Sequence, residues 1–240
     1  MEVYGITDIG QKRANNQDYI FYTSDKIGNL PNLFIVADGM GGHNAGDKAS
    51  SVATSKFVEF VQSSQLTHIK DIMTTGIKEI NEIVHKMSLE HEDMSGMGTT
   101  FVAAVIQDGT LYVVNIGDSR AYIVNEEMIE KVTVDHSLVE EMLISGQITE
   151  EEAHNHPKRN RITRAIGVSD TVVVDLFEVP LKPNDYVLMC SDGLSNMITN
   201  HEIKDMLLDE LTLEQKVENL IAISNKNGGD DNISAIVIKL

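Results

Sequence analysis

One cysteine in 240 residues leaves no intrachain partner for a disulfide and no thiolate set for a structural zinc. Cys190 lies inside an apolar strand-like run, where a buried, inert thiol in a reducing compartment is expected and no chemistry is assigned to it. Only four prolines are present, and no Gly/Ser/Pro tract, low-complexity segment or internal repeat divides the chain. Residues 1–240 are therefore expected to form a single domain, long enough to bury roughly 70% or more of its unfolded surface. Cations are scarce: 19 Lys and Arg face 37 Asp and Glu, for a net charge of −18. That balance excludes a nucleic-acid or anionic-membrane binder as the leading idea. Most of the acidity reads as solvated surface, as in Glu90-His91-Glu92-Asp93. No apolar run approaches the ~20 residues needed to span a bilayer, and Met1-Glu2-Val3-Tyr4 lacks a signal-peptide layout, so a cytoplasmic protein is expected. A Gly-x4-Gly-Lys-Ser/Thr loop is also missing, which removes the P-loop NTPases.

What is present is a series of short apolar runs of strand character near residues 2–7, 19–23, 33–37, 99–107, 110–116, 120–124, 128–133, 171–179, 185–190 and 233–239. Several stand at hairpin spacing, which predicts antiparallel pairing. Between the third and fourth runs the period changes to that of a helix. Ala49, Val52, Ala53, Phe57, Phe60 and Val61 share one face of a segment from Ala45 to Ser63. Ile72, Met73, Ile77, Ile80, Ile83, Val84 and Met87 do so from Ile69 to Glu90. A further helix, Leu213 to Asn225, runs into the stop signal Asn227-Gly228-Gly229. The pattern predicts an α+β fold of two packed antiparallel sheets with helices outside.

Asp38, Asp118 and Asp192 share a local grammar, in which an apolar run stops at an Asp beside a Gly: Asp38-Gly39, Gly117-Asp118 and Asp192-Gly193. Asp230-Asp231 reverses it, standing just before the run that starts at Ile233. Asp-Gly is also the commonest two-residue hairpin turn. Asp108-Gly109, set between two strand-like runs, reads as such a type I′ turn and serves as an internal control. After Asp38-Gly39 the chain offers Met40-Gly41-Gly42-His43-Asn44-Ala45-Gly46 and then a helix, with no return strand. Four acidic strand ends suggest one shared site. Two carboxylates ~4 Å apart repel by about 4 kcal/mol at an effective dielectric near 20, so such a cluster requires cations. Ligands that are all oxygen select a hard divalent ion, Mg²⁺ or Mn²⁺.

Arg13, five residues ahead of Asp18, would hold two oxygens of a phosphate through its planar fork if it stood beside such a site. Two ions ~3.5 to 4 Å apart can lower the pKa of a shared water and present hydroxide in line with phosphorus. The combination specifies phosphoester hydrolysis without a protein nucleophile, and Ser119 and Ser191 lack His and acid partners at triad-like spacing. Between residues 145 and 167 the pattern loosens around Gly146, His154, His156 and Pro157, and the cations Lys158, Arg159, Arg161 and Arg164 concentrate there. A substrate-facing flap and a loop whose cations pair with nearby acids are both consistent with this stretch.

These residues resemble the metal-dependent serine/threonine protein phosphatases of type 2C, in their bacterial form. The matching motifs are Gly10-x-x-Arg13-x-x-Asn16-Gln17-Asp18, Ala37-Asp38-Gly39-Met40-Gly41-Gly42-His43, Gly98-Thr99-Thr100, Gly117-Asp118-Ser119-Arg120, Asp135-His136-Ser137, Thr163-Arg164-Ala165-Ile166-Gly167, Ser191-Asp192-Gly193-Leu194 and Gly229-Asp230-Asp231-Asn232. The resemblance implies a four-layer α-β-β-α sandwich binding two Mn²⁺ or Mg²⁺, with a third, weaker ion. It implies that Asp38 bridges both ions, the Gly39 carbonyl binds the second, and Asp192 and Asp231 bind the first. Asp118, with Asp192, holds the third position. Arg13 is implied to bind phosphate, Asp18 to orient metal-bound waters, and Ser191 and Asn232 to support their neighbours. The implied partners are phosphoserine and phosphothreonine proteins made by a bacterial Ser/Thr kinase; a monomer is the default expectation. Gln17 stands where animal relatives carry Glu, and Met40 where they place a general-acid His, with His43 three residues on. Two other readings use the same residues: a two-metal hydrolase of small phosphoesters, and a non-catalytic phosphopeptide-binding regulatory module. The second would have lost one of Asp38, Asp192 or Asp231, and all three are present.

Overall fold

The computed structural model describes the whole chain apart from residues 43, 44, 150, 151, 154 and 155. Its strands are β1 (Glu2–Asp8), β2 (Asp18–Thr23), β3 (Leu33–Met40), β4 (Gly98–Thr99), β5 (Phe101–Gln107), β6 (Thr110–Ile116), β7 (Arg120–Val124), β8 (Ile129–Lys131), β9 (Asp175–Pro180), β10 (Tyr186–Cys190) and β11 (Ile233–Lys239). Its helices are α1 (Ala45–Ser63), α2 (Ile69–Glu90), α3 (Leu138–Ile144), α4 (Asp192–Ser195), α5 (Asn200–Leu208) and α6 (Leu213–Lys226). One sheet has the order β1-β11-β10-β7-β8; the other has β2-β3-β5-β6-β9, with β4 paired to the end of β3. Every pairing is antiparallel.

Successive side chains of a strand point to opposite faces, and here both faces of the central strands are buried. Leu33, Ile35 and Ala37 of β3 pack under α1 and α2, as do Phe101, Ala103 and Val105 of β5. Phe34 and Val36, with Val102 and Ala104, point the other way, into a core shared with Val187, Met189, Ile236 and Ile238 of the opposite sheet. The other faces of β10 and β11, through Leu188, Cys190, Ala235 and Val237, lie under Ile203 and Leu207 of α5 and Val217 and Leu220 of α6. Three separate apolar cores therefore define four layers, α-β-β-α, as expected. They also explain why the strands read as near-continuous apolar runs rather than as alternating ones. The two helices of the first layer approach closely at Gly76, where a side chain would strike the rings of Phe57 and Phe60. Phe57 in turn stacks, tilted, 5.2 Å from Phe101 below.

Several elements depart from the sequence reading. The strand expected at 171–179 begins only at Asp175, and the one expected at 128–133 shrinks to Ile129–Lys131. β3 does not end with its apolar run at Asp38: Gly39 and Met40 continue it by pairing with Thr99 and Gly98. Helices α3 and α5 were not anticipated. Each is short, but each carries a legible start: Ser137 accepts from the Glu140 N–H, and Thr199 and Glu202 form a reciprocal capping box. Asp108 and Gly109 both have positive φ, 51° and 73°, the type I′ geometry assigned to the control turn between β5 and β6.

Candidate active site

Strand register brings the acidic residues to one end of the sandwich. Asp18 opens β2 directly opposite Asp38 near the end of β3. β6 ends at Ile116 opposite Phe101, two residues before Asp118. β10 ends at Cys190 opposite Ala235, so Asp192 and Asp231 flank the same edge of the other sheet. Asp38, Gly39, Asp118, Asp192 and Asp231 line one cavity of about 220 Å³, together with Arg13, Gln17, Met40, Gly41, Thr100, Asn160 and Ile162.

Asp18 lies just behind this cavity and stitches the sheets together. Its Oδ2 accepts from the hydroxyls of Ser191 (2.7 Å) and Ser234 (2.6 Å), both on the opposite sheet's edge, while its buried Oδ1 has no hydrogen-bond partner among the described residues. Asn232 crosses the same gap: its Oδ1 accepts from the Gln17 N–H, and its Nδ2 donates to the carbonyls of Ile9 and Asn15. Asp38 is held through its backbone. Its N–H donates to Thr100 Oγ1 at 2.9 Å, and its carbonyl accepts from the Thr100 N–H and the Thr99 hydroxyl. Thr100 and Ser119 share a further hydrogen bond of 2.7 Å. The carboxylate of Asp38 is thereby left to the cavity. Asp192 opens α4, where Asn196 Nδ2 donates to its Oδ2 at 3.1 Å and its buried Oδ1 has no hydrogen-bond donor among the described residues. Gly193 beside it has no room for a side chain, since one would collide with the Asn232 carbonyl.

The electrostatics are those of crowded acids. Burial, then the charges of Asp18, Asp192, Asp118 and Asp231, push Asp38 well above its ordinary value. Burial raises Asp18 to about 7 and, with the charge of Asp192, Asp118 to about 8; burial and Asp231 raise Asp192 to about 6. Arg13, half exposed, pairs with Asp231 Oδ2 at 2.6 Å. Residues whose acidity is disfavoured in this way, with two buried carboxylate oxygens unpartnered, form a cavity that suits hard cations. No group of three or more His, Cys, Asp or Glu among the described residues forms a ready metal cage.

Asp118 and Asp192 are shared with a second, larger cleft of about 710 Å³. Arg120, which clamps Asp135 through Nε and Nη2, lines it, as do Lys131 and Arg159. Of the four flap cations, Arg164 pairs with Asp175 at 2.8 Å, whereas Lys158, Arg159 and Arg161 have no ion pair among the described residues. His43 and His154 lie outside the described residues. Cys190 is fully buried, and burial pushes its thiol up to about 12, as befits an inert group. Sequence reasoning did not single out Ser234, Asn196, Asn160 or Ile162. Ser234 becomes a neighbour of Asp18 only where the two sheet edges meet, Asn160 and Ile162 line the cavity from a distant part of the chain, and Asn196 stands one helical turn from Asp192 with no pattern to mark it.

Comparison with known proteins agrees with this geometry. Residues 9–237 match the family model described as Protein phosphatase 2C. The chain is 39% identical over 243 residues to the protein phosphatase PhpP of Streptococcus pneumoniae, covering 100% of this chain and 98% of that one. It is 40% identical over 239 residues to the serine/threonine phosphatase stp of Listeria welshimeri, covering 97% and 93%. The crystal structure of serine/threonine phosphatase Stp1 from Staphylococcus aureus superposes with a TM-score of 0.93 at 36% identity, covering 100% of this chain and 94% of that one. With a full-length match in sequence, the same four layers and the acidic residues gathered at one end, the chain belongs to the type 2C family of serine/threonine protein phosphatases.

Proposed function

We propose that the protein is a Mn²⁺- or Mg²⁺-dependent enzyme that hydrolyses phosphoserine and phosphothreonine in proteins. One observation carries the reading: four carboxylates from both sheets and the Arg13 guanidinium open into a single small cavity. Asp38 would bridge two ions, the Gly39 carbonyl would serve the second and Asp192 and Asp231 the first, with Asp118 and Asp192 holding a weaker third. Ions bound there supply charge neutralisation, polarise the phosphoryl oxygens and lower the pKa of water.

The chain's own residues do the rest. Arg13, already poised at the rim and paired with Asp231, turns its planar fork onto two phosphate oxygens. Asp18, locked by Ser191 and Ser234, keeps Oδ1 as an acceptor behind Asp38 and orients water in the cavity. Water adds its oxygen to phosphorus as the ester oxygen departs, giving inorganic phosphate and a free Ser or Thr hydroxyl. The departing oxygen needs a proton, and Met40 next to Gly39 has none to give, so water or the flap supplies it. The whole chain, 1–240, acts as one catalytic domain, with residues 145–167 as a flap that brings Asn160 and Ile162 to the cavity. Its substrates are phosphoproteins made by a Ser/Thr kinase, and it works as a cytoplasmic monomer. No helix among the described residues is long and apolar enough to cross a membrane.

The test is dephosphorylation of a phosphothreonine peptide by chelator-stripped protein, with and without Mn²⁺. Turnover is expected only with the metal; silence with Mn²⁺ shown to bind would overturn the reading. Because an open acidic cavity also admits small phosphoesters, competition between phosphopeptide and nucleotide decides between the two substrate classes.

A further inference from the structure

His136 is nearly fully buried, and every polar group it owns is used by parts of the site. Its backbone N–H donates to the Gly117 carbonyl at 2.9 Å, and its Nδ1 accepts from the Gly117 N–H at 3.0 Å. Both peptide groups of the residue before Asp118 are thus held by one histidine. Its carbonyl accepts from the Thr163 N–H at 2.8 Å, at the root of the flap. Because Nδ1 receives a hydrogen, Nε2 must carry one, and it donates to Asp175 Oδ2 at 3.0 Å. Arg164 Nη1 donates to the other oxygen of Asp175 at 2.8 Å. Burial alone would raise Asp175, but the hydrogen bonds from His136 and Arg164 outweigh it and hold the carboxylate below its ordinary value. Arg164 also lies 3.1 Å from Nε2. Since both atoms carry hydrogens, that proximity follows from their sharing Asp175.

The turn being held needs holding. Gly117 has φ of 104°, a conformation that side chains disfavour, and a side chain there would strike Thr100, the residue that anchors the Asp38 backbone.

We infer that His136 is a positioning residue: with its tautomer set by Asp175 and Arg164, it fixes the Gly117 turn and so aims the Asp118 carboxylate into the cavity. The inference deepens the proposed function and rests on it only in assigning Asp118 to a cation. It also gives a purpose to Asp135-His136-Ser137 and Thr163-Arg164, two sequence motifs that the acidic cluster itself leaves without a role.

Two substitutions separate positioning from mere packing. The amide oxygen of His136→Asn can occupy the Nδ1 position and still accept from Gly117, whereas His136→Gln reaches toward Asp175 and abandons Gly117. In metal-free protein, the Gly117 amide is expected to be protected from hydrogen exchange in the wild type and in His136→Asn, and to lose protection in His136→Gln. In Mn²⁺ titrations, His136→Gln should weaken the weakest of the bound ions by about 10- to 100-fold, the usual effect of removing a residue that orients a ligand. His136→Asn should stay within about threefold of wild type on the same criterion. Equal behaviour of the two variants in exchange would overturn the inference. So would a wild-type imidazole shown by ¹⁵N NMR to carry its hydrogen on Nδ1, a measurement that needs no variant to fold. If the wild type binds no ion that Asp118→Ala weakens, the cation assignment fails, while exchange and the tautomer still judge the positioning role.

Discussion

Asp18 and Asp38 face each other across the β2–β3 ladder, two acids in direct register at the mouth of the fold. Like charges directly opposite on paired strands destabilise a sheet, and no Lys or Arg among the described residues is bonded to either carboxylate. The Asp18 side is compensated by the hydroxyls of Ser191 and Ser234, and the Asp38 side is left to what the cavity binds. The stress between these residues is the source of the first two expectations.

Replacing Asp38 with Ala is expected to lower phosphopeptide turnover by at least about a thousandfold at saturating Mn²⁺, equivalent to roughly 4 kcal/mol of barrier. Its melting temperature in chelator should be no lower than that of the wild type, because a repelling carboxylate has gone. A variant with wild-type turnover would remove Asp38 from the mechanism, and one that is unfolded in chelator would contradict the account of stress.

Stability of the chelated protein should fall with rising pH. Asp192, Asp18 and Asp118 titrate near 6, 7 and 8 in the fold against 3.8 for the ordinary carboxylate. Between about pH 4 and 8 the folded chain therefore binds more protons than the unfolded one, and the free energy of unfolding drops as pH increases. The stability these groups contribute is complete below pH 3.8 and is lost as pH rises through the folded values. Thermal melts in chelator from pH 5 to 8 should show the decline, and millimolar Mn²⁺ should flatten it. A melting temperature that climbs over this range without metal would refute the assignment.

Arg13→Ala should act chiefly on substrate binding. Charge-assisted hydrogen bonds are worth about 1.5–3 kcal/mol, so KM for a phosphopeptide is expected to rise by about ten- to a hundredfold, with kcat changed less. Steady-state kinetics at fixed Mn²⁺ would test this, and an unaltered KM would place Arg13 outside the phosphate site.

Gly193→Ala probes the placement of Asp192. The new methyl would overlap the Asn232 carbonyl, which is backbone and cannot rotate away. Overpacking of this kind costs about 1–3 kcal/mol, and here the strain falls between Asp192 and Asp231, the two acids proposed to hold the first ion. The expected result is a lower melting temperature together with weaker Mn²⁺ binding. Loss of neither would mean that α4 and the 231–232 turn can separate freely.

The chemistry of this protein is written locally. Asp beside Gly at the end of an apolar run is a matter of neighbouring residues, and so are the helical stripes of α1 and α2 and the Asp108-Gly109 turn, so the sequence alone determined the sheets, the long helices and which acidic residues gather at one end. Family resemblance added the expected roles of Asp18, Ser191 and Asn232. What remained illegible was relational. The continuation of β3 through Gly39 and Met40 exists because a two-residue strand some sixty positions away pairs with it. Ser234 reaches Asp18 across 216 positions, and His136 reaches Asp175 across 39. Short helices such as α5 form because their apolar face is covered by α6 and β10, a stabilisation that nine residues cannot generate alone. Only the tertiary structure could decide which neutral side chains hold the acids in place, because hydrogen bonds between distant strands depend on how two twisted sheets meet, and no local pattern encodes that meeting.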